Sequence, residues 1–117
     1  MDGVSLDGRW FRAVAEVQGG DVGPETMFRY AEQDGEIWAT YVGGRISRGY
    51  LVGTRDGDQL DFRYAQLNED GQTATGHATA TILTLPDGRL RLEERWQWES
   101  QEGSGTSAVE EMPDLAQ

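Results

Sequence analysis

The chain has 117 residues, no Cys, no Lys, 16 Gly and a formal charge of −11. That length suits one domain able to bury about two thirds of its unfolded surface without a disulfide or a metal. The missing residue types exclude a disulfide framework, a thiolate nucleophile, a Cys-held metal and a Schiff-base lysine, and the single His excludes a multi-histidine metal site.

No metal and no cofactor is therefore expected. The 21 acids outnumber ten Arg, which argues against nucleic acid and against an anionic membrane as partners. The opening segment Met1–Gly8 has neither a basic nor an apolar stretch, and no apolar run approaches the ~20 residues of a membrane span. A cytoplasmic location is expected.

The spacing predicts eight strands. The first covers Arg9–Val17, followed by a loop through Gly19-Gly20-Asp21-Val22-Gly23-Pro24. Strands at Glu25–Gln33, Glu36–Val42, Arg45–Thr54 and Gln59–Leu67 come next, separated by Asp34-Gly35, Gly43-Gly44 and Asp56-Gly57. Asp70-Gly71 leads into Thr73–Leu83, and Leu85-Pro86-Asp87-Gly88 leads into Arg89–Glu99. A Gly-rich loop, Gln101–Gly105, precedes a short strand at Thr106–Met112. Asp-Gly and Gly-Gly pairs are what type I′ hairpin turns demand, since both central residues need positive φ.

Consecutive hairpins make neighbouring strands antiparallel, and closure removes both exposed edges of such a sheet. The expected fold is all-β: a single antiparallel up-and-down eight-stranded β-barrel of the calycin, lipocalin or streptavidin kind, covering residues 1–112, with a disordered tail at 113–117. A meander β-sandwich is the alternative, and it needs longer crossovers.

Alternation assigns faces. Leu60, Phe62 and Tyr64 share one face of their strand, as do Leu90, Leu92, Glu94, Trp96 and Trp98. Thr26, Phe28 and Tyr30 point the same way, and Ile46, Arg48, Tyr50 and Val52 form the more apolar set of the fourth strand. The third strand is ambiguous, with Ile37, Ala39 and Tyr41 opposing Trp38 and Thr40. Most of the inward residues are apolar or aromatic, with Arg48 and Glu94 as charged intruders. A buried charge must find a partner, so an internal Arg48–Glu94 pair is expected.

The stretch from Trp38 to Gly53, the block Asp61-Phe62-Arg63-Tyr64 and the run from Leu85 to Trp98 resemble a family of small bacterial proteins of about this length. That family commonly carries the label "N-acetylglutamate synthase". The label implies an acetyl-CoA-dependent acyltransferase. The turn that wraps the cofactor pyrophosphate in α/β acetyltransferases opens a helix, and no position of this sequence fits it.

The expected function is binding of a small hydrophobic or aromatic molecule in an aromatic lumen. Tyr30, Trp38, Tyr41, Arg48, Tyr50, Phe62, Tyr64, Glu94 and Trp96 are the candidate ligand-binding residues. One alternative is a cofactor-independent cyclase or isomerase acting on an apolar intermediate, with Glu94 and Tyr64 as its catalytic pair. The other is an interaction module, with a possible homodimer formed through the Trp-bearing strands.

Overall fold

The computed structural model describes residues 4–14 and 21–113. Eight strands run β1 Trp10–Ala13, β2 Met27–Gln33, β3 Glu36–Gly43, β4 Ile46–Asp56, β5 Gln59–Asn68, β6 Thr73–Thr84, β7 Leu90–Trp98 and β8 Ser104–Glu111. Every sequential pair is antiparallel, and β1 also pairs with β8, so the sheet closes into a barrel. Phe11 faces Phe28 on one side and Glu111 on the other. The sandwich alternative is thereby excluded. The expected end of β1 beyond Val14, part of the following loop and the tail past Pro113 lie outside the described residues.

The turns differ in detail from a uniform type I′ set. Asp34-Gly35 has positive φ at both residues, 53° and 81°. The β5–β6 and β6–β7 connections instead close as three-residue loops. Gly71 N–H donates to Asn68 O at 3.0 Å and Gly88 N–H to Leu85 O at 2.9 Å, with only the glycine in the left-handed region. This is a type I turn ended by glycine, and Pro86 sits at the position its fixed φ favours.

The interior has two halves. Toward the β2–β3, β4–β5 and β6–β7 turns it is packed solid. Leu6, Phe11, Ile37, Leu60, Leu90 and Leu92 are each 0–1% exposed there. Arg55 and Glu32 close that end: Arg55 Nη1 donates to Glu32 Oε1 at 2.7 Å and to Val4 O at 2.8 Å. Glu32 Oε1 also accepts from Leu6 N–H at 2.9 Å, which ties the N-terminal segment across the barrel floor.

One bulge decides the facing of β4. Ile46 pairs with Asn68 but Arg48 pairs with Leu67, so Ser47 is an extra residue against β5. An inserted residue reverses the in–out alternation beyond it. Gly49, Leu51, Gly53 and Arg55 therefore lie on the inner face, while Arg48, Tyr50 and Val52 lie on the outer face.

Candidate functional site

The other half of the barrel holds a cavity of about 60 Å³, room for several water molecules. It lies nearer the β1–β2, β3–β4, β5–β6 and β7–β8 connections. Its apolar wall includes Val22, Phe28, Leu51, Phe62, Ala78 and Val109. Tyr41, Tyr64, Gln66, Glu94, Trp96 and Ser107 bring polar atoms to the same wall.

Alternation along β7 brings Glu94 inward at mid-barrel, opposite Ala80 of β6 and Ser107 of β8. Ser107 Oγ donates to Glu94 Oε1 at 3.2 Å. No ion pair among the described residues includes Glu94. Burial in this low-dielectric site pushes its carboxyl up to about 7, and the Ser107 hydrogen bond only partly opposes the shift. Burial also raises the phenols of Tyr30, Tyr41 and Tyr64, the last to about 12, with the Glu94 charge adding to each. All three stay neutral across the physiological range.

Tyr41 Oη donates to Gln66 Oε1 at 2.9 Å, which fixes the Gln66 amide. Gln66 Nε2, Trp96 Nε1 and Tyr30 Oη are buried without a hydrogen-bond partner. Each such group costs roughly 1–3 kcal/mol of desolvation when left unpaired.

The wall aromatics are seated by glycines. Tyr41 is paired with Gly49, Tyr64 with Gly76 and Trp96 with Gly105 across neighbouring strands. A Cβ at Gly49 would strike the Tyr41 ring, and one at Gly76 would strike the Tyr64 phenol. Each ring lies flat on the neighbouring backbone because its opposite residue has no side chain. Gly49→Ala should therefore destabilise by about 1–3 kcal/mol through overpacking. In a Tyr41→Ala background the same change should be neutral or stabilising, because only the entropic gain of replacing glycine remains. Denaturant melts of the four-member cycle check this; equal effects in both backgrounds would contradict it.

The family model described as avidin-like protein matches residues 4–112, over a closed eight-stranded antiparallel barrel. The chain belongs to the avidin-like family. No curated protein and no solved structure matches it.

In this avidin-like barrel, five of the candidate residues meet at the cavity: Tyr41, Phe62, Tyr64, Glu94 and Trp96. Glu94 and Tyr64, the expected catalytic pair, are both among them. Tyr30 is inward but deeper, packed edge-on to Phe11 at 5.2 Å between ring centres. Three candidates are corrected. The Ser47 bulge turns Arg48 and Tyr50 to the outer face, and the phase of β3 puts Trp38 there too, opposite Val52. The expected Arg48–Glu94 pair does not exist. The inward arginine of β4 is Arg55, and its partner is Glu32.

Gln66 and Ser107, which bring polar atoms to the wall, were not among the candidates. Gln66 lies two residues beyond Tyr64, so extending the same alternation reaches it. Ser107 faces Glu94 only through the β7–β8 register, which alternation within one strand does not reveal.

Proposed function

We propose that the barrel binds a small, largely apolar molecule in the half of the lumen around Glu94. The observation that carries this reading is a cavity in the barrel interior, beside packed layers, whose wall combines apolar rings with unpaired donors. Gln66 Nε2 and Trp96 Nε1 have no partner, and both residues line it. Binding sites are mostly apolar clefts with a few placed polar groups. An occupant carrying an acceptor would satisfy donors that the fold leaves bare. Membership of the avidin-like family supports the same reading.

Trp96 and Trp98 line the cavity, so their fluorescence reports occupancy. Titration with small aromatic and cyclic-amide molecules, biotin included, should change Trp emission and raise the melting temperature for at least one compound. A Trp96→Phe variant should lose most of the emission change. A flat response to the whole panel at millimolar concentration, with the protein folded, would contradict the reading.

A second observation favours self-association. Trp38 is 42% exposed, Tyr50 54% and Val52 64%, on adjoining strands of the outer face. We infer that this patch pairs two copies of the barrel, since contiguous exposed apolar surface marks interaction sites. Light scattering should then show a dimer that Val52→Asp dissociates. A concentration-independent monomer for the unaltered chain would remove this inference.

A further inference from the structure

We propose that the occupant of the lumen carries, besides an acceptor for the bare donors, a protonated amine on its apolar body, and that Glu94 is the counter-ion of that amine. This rests on the reading of the lumen as a binding site and names the chemistry that site selects.

Glu94 is a carboxylate on the cavity wall with no cation beside it among the described residues. The chain has no Lys, and its ten Arg are all within the described residues. None of them forms an ion pair with Glu94, and none lines the cavity. Asp21, the other carboxylate on that wall, already has partners. Arg45 Nε donates to it at 3.0 Å and Asn68 Nδ2 at 3.1 Å. Among the described residues, the remaining titratable groups facing Glu94 are the phenols of Tyr30 and Tyr41, from β2 and β3, and of Tyr64, from β5. From β8 it meets only the neutral hydroxyl of Ser107. One inward, partly buried acid therefore has only neutral groups around it among the described residues.

Its surroundings suit a cation. Phe28, Tyr41, Phe62, Tyr64, Trp96 and Trp98 line the cavity, and aromatic faces carry negative potential that attracts ammonium groups. The net charge of −11 draws cations toward the protein and repels anions. An amine bound here would replace the missing counter-charge and favour the ionised carboxylate. A carboxylate ligand would meet Glu94 with no cation between them. A neutral molecule would leave the acid protonated or unpaired.

The test compares benzylamine, benzyl alcohol and benzoate by calorimetric titration at pH 8 and pH 5.5, on the unaltered protein and on Glu94→Gln. At pH 8 the amine should bind at least about tenfold tighter than the alcohol, and benzoate weakest. In Glu94→Gln the amine preference should vanish while alcohol binding stays within about twofold. The amine should weaken by at least about tenfold at pH 5.5, where Glu94 has taken its proton, and the alcohol should not. Equal binding of amine and alcohol, unchanged in Glu94→Gln, would overturn the amine proposal and leave a neutral-ligand site standing. Failure of all three to bind would overturn the amine proposal together with the binding reading beneath it.

Discussion

Replacing Arg55 with Ala should cost about 3 kcal/mol of folding stability, at the lower end of what breaking a buried ion pair costs. The Arg55 side chain is only 7% exposed and Glu32 only 17%, so the carboxylate left behind has little water to recover. The guanidinium does three things at once. It pairs with Glu32, donates from Nη1 to the Val4 carbonyl oxygen, and donates from Nε to Gly57 O at 2.8 Å. Its loss would therefore loosen the barrel floor as well as one contact. Leu6, fully buried and bonded to Glu32 through its amide, would be held by a carboxylate no longer fixed by its cation. Arg55→Lys should restore only part of the loss, because an ammonium cannot reproduce the fork geometry. Urea denaturation with an unchanged m-value would measure the effect cleanly. A loss below about 1 kcal/mol would place Arg55 among ordinary surface ion pairs.

Glu94→Gln should act in the opposite direction. At pH 8 the variant should be more stable than the unaltered chain by up to about 3 kcal/mol, and at pH 4 the two should match. The folded-state value, about 7, lies above that of an unfolded Glu, so the folded protein holds a proton that the unfolded chain has released. The stabilisation from that proton is complete below the unfolded value. It declines as pH rises, and it is gone above about 7. Gln keeps the shape of the protonated acid at every pH, so the difference should open between about pH 4.5 and 7 and then level off. Chemical denaturation across pH, taken as the difference between the two proteins, cancels the many surface carboxylates. A difference that is flat with pH would contradict the burial of Glu94. A stabilising effect would also fit the cost commonly borne by functional sites, where an unpaired group is retained at the expense of stability.

Much of this architecture is written locally. Asp-Gly and Gly-Gly pairs punctuate the chain, and alternation around them places β2 to β8 within a few residues of their observed bounds. The β7 face was legible in full, since Leu90, Leu92, Trp96 and Trp98 leave no doubt which way Glu94 points. β4 shows where alternation fails. Counting apolar side chains favours the set Ile46, Tyr50 and Val52, and the bulge at Ser47 puts Tyr50 and Val52 outside. The true inner set past the bulge is Gly49, Leu51, Gly53 and Arg55. It looks weakly apolar because two of its members have no side chain to count. Those glycines were the available signal, for they lie opposite Tyr41 and Phe62 and leave space for these rings. The same parity error exchanged Arg48 for Arg55. The absence of Lys rightly focused attention on a buried arginine, but that arginine seals the floor and leaves Glu94 without a cation among the described residues.

The most direct test of an uncompensated acid in the lumen is a carbon-detected NMR titration of Glu-labelled protein. The unaltered chain should show one side-chain carboxyl titrating near pH 7, and that signal should be missing from Glu94→Gln. A spectrum in which every Glu titrates in the ordinary range near 4–5 would contradict the account.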